Sequence, residues 1–366
     1  MKKMKTVIAL LLSMIIIVSS AASFGLTFAV DSNVAPHFAV SVAGSGEDPD
    51  SVGTVNWWKS DVDGKYYMFM PSGSDLSELK VWISSSAPVI CGEKELKNGE
   101  TTDAFSGGGE FALSCGGKNY SVVFLASSEL PSVFINVPDG GLDRIHADKE
   151  HKEKGCSMLA VNENGKTDYD GKLDSMKGRG NSTWGMVKKP YNIKLESKSK
   201  LFGMEKAKAW CLIANYEDKS LVRNQVTYGL GEAIGMKETP DCKNTDLYIN
   251  GEYKGVYLIT EKVEIKKNRV DIYDLEEATE EANEGKELSE FAQKGFGGKF
   301  SGFIENRQRW FEIPNDPSDI TGGYLLELEV ADRYPNEASG FVTKHGQAVV
   351  AKSPEYASMA QIKYIS

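Results

Sequence analysis

Basic charge and cysteine are both in short supply in this 366-residue sequence, and each shortage removes a class of function. Forty-two lysines and arginines stand against 52 aspartates and glutamates, a formal net charge of −10. Neutralising a phosphate backbone needs a concentrated basic face, so a general nucleic-acid binder is excluded, and the acidity speaks mainly to solubility. Five cysteines (Cys91, Cys115, Cys156, Cys211 and Cys242) are too few and too scattered for a disulfide scaffold, and the odd count leaves at least one unpaired. Neither HExxH nor paired CxxC occurs, which removes the common zinc motifs. GxSxG around Ser182 is missing too, and none of the four histidines stands in a fixed relation to that serine, so a serine hydrolase is set aside.

What is present begins with an export signal. Three lysines within Met1 to Lys5 precede an uncharged apolar run from Val7 to Val18 and the small residues Ser19 to Ser23. The run is shorter than the roughly 20 residues of a spanning helix, so a cleaved signal over about residues 1–30 is expected in preference to an anchor lengthened by Phe24 to Val30. No cysteine closes the run, so lipid attachment there is not expected, and the protein is expected to be secreted or held at the cell surface.

From residue 33 to 137, short β-type runs (Tyr66 to Met70, Lys80 to Ile83, Glu110 to Ser114, Tyr120 to Leu125, Ser132 to Val137) alternate with Gly, Ser and Asn clusters. That spacing predicts a β-sandwich-like accessory domain, with Cys91 and Cys115 on neighbouring strands as the favoured bridge. Pro138 to Lys154 is polar and turn-rich, a boundary or exposed loop opening a second domain over 138–366. His146, Asp148, Glu150 and His151 crowd there, but their spacing matches no established metal site, and a solvated charged loop is the reading taken. Beyond it, Lys172 to Gly178 and Tyr191 to Leu195 read as a half-buried hairpin around the loop Arg179 to Lys189. Ser220 to Ile234 reads as a helix capped by Ser220 and closed by Gly235, its stripe of Val222, Val226, Leu230 and Ile234 packing on the sheet. Asp246 to Ile249 and Val256 to Ile259 flank Asn250-Gly251, a hairpin signal. Glu276 to Lys299 reads as a solvated helix or an insertion, Gly323 to Val330 as a strand, and Pro354 to Ser366 as a helix begun and not finished. The fold class is α+β.

Three constellations carry chemistry. Arg179-Gly180-Asn181-Ser182-Thr183-Trp184, followed by Lys188-Lys189-Pro190-Tyr191, offers backbone N–H groups, hydroxyls and cations to one anion such as phosphate; a tight turn stapled by Asn and Ser is the alternative. Arg223 falls in a first helical turn, where the dipole disfavours a cation unless a ligand anion or an internal carboxylate meets it. Glu261 closes the run Tyr253 to Glu261, where it pairs with Lys189, accepts from a ligand, or is an ordinary strand-end charge.

Together these segments resemble the CotH family of secreted, spore-coat kinase-like proteins. The resemblance rests on RGNSTW with KKPYNIKL (Arg179 to Leu195), Ala214-Asn215 with Asp218, Leu221 to Asn224, Leu247 to Glu261 with its YINGEYKGVYLITE, and GGYLLE (Gly322 to Glu327). It implies an atypical protein-kinase-like fold, a sheet-based small lobe and a mostly helical large lobe, with ATP and Mg or Mn between them. It implies phosphate transfer to Ser or Thr of extracellular or surface proteins. On it, Arg179, Gly180, Asn181, Ser182 and Thr183 approach the phosphates, Lys189 positions them, Arg223 and Asn224 face the nucleotide, and Glu261 lies near the inter-lobe strand.

One departure stands out. The family carries its catalytic and metal-binding aspartates in segments like NxDG and PWDxD after GGYLLE, and neither occurs here before Ser366. Phosphoryl transfer leans on metal-borne charge neutralisation, so the chain is expected to be a fragment with the large lobe mostly missing and no metal ligands of its own, binding a nucleotide at best. The competing expectation is a non-catalytic surface module that binds wall polysaccharide or a partner protein, with Trp57 and Trp58 as the aromatics to watch.

Overall fold

The computed structural model describes residues 35–42, 48–295, 308–330 and 333–366. The export signal lies outside the described residues. The chain forms two compact units: residues 1–144, 153–173 and 245–256 make the first, and 145–152, 174–244 and 257–366 the second.

Two sheets dominate the first unit. One has the order β2-β1-β5-β8, built from β1 (His37–Ser41), β2 (Thr54–Asn56), β5 (Leu79–Ser84) and β8 (Thr101–Thr102). The other, β3-β4-β10-β9-β6-β7, joins β3 (Trp58–Lys59), β4 (Tyr66–Met70), β6 (Val89–Cys91), β7 (Lys94–Leu96), β9 (Gly109–Cys115) and β10 (Lys118–Ala126). The period-2 pattern explains the core, since Tyr66, Met68 and Met70 of β4 point in while Tyr67 and Phe69 point out. Phe38, Val81, Met68, Leu113 and Phe124 from both sheets share one apolar cluster. The strands expected from sequence are borne out, and Trp57 and Trp58 divide as core and surface: Trp57 packs on Tyr66 (centroids 4.0 Å), and Trp58 is 53% exposed. The expected bridge does not form. Cys91 and Cys115 do lie on paired strands, but Cys115 faces Val89 and Cys91 faces Leu113, and both thiols are free. A two-residue offset keeps the two Cβ atoms too far apart for an S–S bond.

The remaining strands and helices are β11 (Ser132–Asn136), α1 (Gly141–Ala147), β12 (Ser157–Val161), β13 (Thr167–Gly178), β14 (Tyr191–Ser199), β15 (Ala207–Ile213), α2 (Arg223–Ala233), β16 (Cys242–Ile249), β17 (Glu252–Glu261), α3 (Leu275–Ala282), β18 (Gln293–Gly295), β19 (Gln308–Phe311), β20 (Leu325–Glu329), β21 (Gly340–Val342), β22 (Ala348–Ser353) and α4 (Met359–Ile365). In sheet order β11-β12-β13-β14-β15-β17-β16 close as a barrel, and β18-β19-β21-β22-β20 form a separate sheet. The architecture is sheet-rich and α+β-like. Asn250 (φ 50°) and Gly251 (φ 77°) make the tight β16–β17 turn that their residue types predict.

Three expectations are corrected in the second unit. The helix starts at Arg223, not at Ser220, because the Asp218 carboxylate takes the capping role from outside: Oδ2 accepts from the Arg223 N–H (2.8 Å) and Oδ1 from the Ser220 hydroxyl (2.6 Å). Its apolar stripe does not pack on a sheet, since Val226, Leu230 and Ile234 are 64, 59 and 66% exposed; buried Gly231 faces Thr239 instead. β20 also departs from the burial that the alternation of Tyr324, Leu326 and Leu328 with Glu327 and Glu329 predicts. Leu328 is 74% exposed while Glu329 is buried, because its Oε1 binds Arg333 (2.7 Å) and accepts from the Val330 N–H (2.6 Å). α4 bears out the last expected helix and opens with a Ser358–Gln361 capping box.

Candidate functional site

The loop between β13 and β14 is a built object. Gly180 takes φ 83°, and a Cβ there would sit 2.2 Å from Thr183 Oγ1, so only glycine admits the turn that brings Ser182–Gly185 into a short 3-10 helix. Its mouth is closed by the Arg179 N–H donating to the Pro190 carbonyl (3.2 Å). Lys189 is the brace: Nζ donates to the carbonyls of Trp184 (2.8 Å) and Met186 (3.2 Å) and lies 4.9 Å from the Trp184 ring centre. The Tyr257 hydroxyl donates to the Lys189 carbonyl (3.0 Å). Lys189, which the resemblance made the phosphate-positioning lysine, is thus engaged in holding the loop shape.

Sequence reasoning missed most of what surrounds that loop. Residues of the polar segment read as a solvated loop begin in α1 and come to it: Lys149 Nζ donates to the Gly180 carbonyl (3.1 Å), Glu150 pairs with Lys177 (2.6 Å), and the His146 ring shares a hydrogen bond with the Tyr191 hydroxyl (2.9 Å). The signal for the helix was Leu142 and Ile145 at helical spacing, with Ile145 fully buried. Lys188 lies 4.4 Å from the Tyr257 ring centre, and burial pushes its ammonium down to about 8. Desolvation makes such a group the cheapest cation to discharge near neutral pH. Lys149, Lys177, Lys188 and Lys189 thus belong to the loop and its flanks, and the exposed rim carries Ser182 and Thr183.

The other predicted residues go elsewhere. Arg179 turns toward Cys211 and Tyr228, where its charge opposes the rise that burial imposes on both. Arg223 meets an internal carboxylate, Asp218 (Nε to Oδ1 3.4 Å), with its side chain 80% exposed. Asn224 donates to Asn215 Oδ1 (2.8 Å), and Asn215 donates to the Leu221 carbonyl (3.1 Å), a network that ties the helix start to the end of β15. Glu261 is neither a partner of Lys189 nor an exposed strand end: Oε1 binds Arg269 (2.5 Å), whose guanidinium is stacked 4.7 Å from the Trp210 ring centre. The loop residues Gly180 to Thr183 and Lys189 are therefore brought together, while Arg223, Asn224 and Glu261 serve separate networks.

A glycine-turned loop with a hydroxyl rim and flanking cations, on strands of a β-rich unit, carries the residue types that backbone anion sites use. In comparison with known families, the family described as CotH kinase protein matches residues 176–306, a span that begins in β13 and holds the loop, β14 to β17, α2 and α3. Residues 176–306 are similar to that family. A search of curated proteins finds no match.

Proposed function

We propose that this region gives the protein the kinase-like function of its family, and that the loop from Arg179 to Pro190 receives the phosphates of ATP. The supporting observation is that the loop shape is braced. Lys189 donates to the Trp184 and Met186 carbonyls and Lys149 to the Gly180 carbonyl, which leaves the exposed Ser182 and Thr183 on the rim and the half-buried Lys188 beside the Tyr257 ring. Lys188 replaces Lys189 in the role of phosphate-positioning cation. Acceptors are Ser or Thr hydroxyls of extracellular or surface proteins, and an amino-terminal export signal delivers the chain there.

The family would add Mg or Mn to the nucleotide. Among the described residues no three His, Cys, Asp or Glu side chains gather as a metal site, and Asp218 is already engaged with Ser220 and Arg223. The described residues do not fit a protein-held metal, and phosphate recognition here is derived from lysines and backbone alone.

Binding of a fluorescent ATP analogue to the purified protein tests this reading. Lys188→Met is expected to weaken binding at least tenfold with the fold intact by circular dichroism. A cation with a pKa near 8 binds anions below that pH and releases them above it, so wild-type affinity is expected to fall as pH rises through about 8. Lys188→Arg should keep the affinity and remove that midpoint. Unchanged affinity in Lys188→Met would return the loop to a purely structural turn.

One observation favours a second reading as a surface-binding module: exposed Trp58 lies beside Tyr67 and Phe69, with centroids 6.3 and 6.4 Å away. Loss of polysaccharide retention in Trp58→Ala, with Trp57 left in the core, would support it.

A further inference from the structure

The first unit holds a buried carboxylate for which the nucleotide reading has no use. Asp246, on β16, is 1% exposed and helps line a cavity of about 180 Å³ together with Phe69, Leu125, Ser127, Tyr248 and Tyr253. Its Oδ1 accepts from the Tyr253 hydroxyl (2.8 Å), whereas Oδ2 has no hydrogen-bond partner among the described residues. Burial raises its pKa, and the nearby Ser127 and Tyr253 hydroxyls act the other way without closing a bond on Oδ2. Leaving half a carboxylate unpaired in the interior is costly, and such a group is ordinarily neutralised or paired.

The walls are aromatic. Phe69 and Tyr253 stack at 4.8 Å and 27°, Tyr248 stands 5.2 Å from Tyr253, and the Tyr248 hydroxyl donates to the Phe69 carbonyl (2.8 Å), which fixes the rings relative to one another. The cavity is far larger than the roughly 10–15 Å³ that one water needs. Asp246 is the single charged side chain in the lining, which otherwise holds apolar and aromatic groups with few hydroxyls. A sugar ring would bring many hydroxyls and find few partners. A cation with an apolar shell meets both the negative ring faces and the lone carboxylate.

We propose that this cavity binds an organic ammonium group, either a small quaternary ammonium ion or the tip of a lysine side chain, with Asp246 as counter-ion and Phe69 and Tyr253 as the aromatic wall. Binding requires the ionised carboxylate, so affinity rises with pH through the elevated Asp246 pKa.

The test is isothermal titration of the full protein with tetramethylammonium, choline, N-acetyl-lysine amide and 3,3-dimethylbutanol, the uncharged counterpart of choline. The expected result is saturable binding of at least one ammonium probe, at least tenfold weaker binding of the alcohol, and at least tenfold loss in Asp246→Asn. Choline against the lysine amide tells the two sources apart. Phe69→Leu, which keeps an apolar residue, serves as a second variant and should lose affinity several-fold if Asp246→Asn fails to fold. No saturable ammonium binding by the wild-type protein, equal affinity for the alcohol, or binding unaffected by Asp246→Asn each overturns the proposal. ATP-analogue affinity is expected to be the same in Asp246→Asn, so failure here leaves the nucleotide reading standing.

Discussion

Two acidic residues of the β16–β17 hairpin segment, the buried Asp246 and the half-buried Glu261, both have their pKa raised from the ordinary carboxylate value by desolvation. Their surroundings differ in one respect. Glu261 is closed from within: Arg269 binds Oε1, the Asp241 N–H points to Oε2 (3.3 Å), and the guanidinium rests on Trp210. Asp246 has a tyrosine hydroxyl on one oxygen and no hydrogen-bond partner on the other among the described residues, with the Ser127 hydroxyl near the carboxylate. Both Glu261 oxygens have partners, although Nε and Nη2 of its cation Arg269 have none among the described residues; what sets Asp246 apart is an unpaired oxygen on a residue that lines a cavity.

The sharpest way to break this comparison is to open the closed site. Arg269→Met strands Glu261 without its cation, and removing one partner of a buried pair costs about 3–5 kcal/mol. The deficit, measured by urea unfolding at pH 7, is expected to shrink as pH falls, because Glu261 then protonates and no longer needs a cation. A deficit that does not depend on pH would mean that packing on Trp210, and not charge, is what Arg269 supplies. Asp246→Asn probes the open site and should have the opposite sign. A carboxylate with a raised folded-state pKa is tolerated fully when protonated, below its unfolded value, and costs stability as pH rises through the folded value. The amide variant is therefore expected to be about 1 kcal/mol more stable than wild type at pH 7, the unpaired charge being gone, and no more stable near pH 4. Equal stability at pH 7 would show that Oδ2 is satisfied in solution.

The same distinction explains how far the sequence could be read. Strand positions were legible because alternation is local: Tyr191, Ile193 and Leu195 are buried and Lys194 is exposed, as their period requires. The 179–190 loop was legible because its residue types carry their own conformational demands, Gly180 above all. Partner identity was not. That Lys189 turns inward while Lys188 keeps the desolvated position depends on carbonyls contributed by Trp184 and Met186, which adjacent identical residues cannot signal. Nor could composition tell that Arg269, eight residues past Glu261, would be its cation. The stripe on α2 misled for a related reason. Helical spacing says that Val226 and Leu230 share a face, and in the described residues that face lies open.

The smallest expected effect separates cap from cation at the start of α2. Arg223 and Asp218 form an ion pair that a sequence reader takes for a binding element, yet the arginine side chain is 80% exposed and only Asp218 reaches the backbone. Exposed pairs hold little because water and salt screen them. Arg223→Ala is expected to move the melting temperature by less than about 1 °C. Asp218→Ala removes the acceptor for the Arg223 N–H and for both the N–H and hydroxyl of Ser220, so it should lower the melting temperature clearly and fray the first turn, visible as faster amide exchange at Arg223 to Gln225. If the two variants instead behave alike, the pair acts as a unit and Arg223 belongs with Glu261 among the charges closed from within. If only Asp218→Ala is felt, Arg223 is a free cation at a helix start and remains available to an anionic ligand, as the family resemblance first implied.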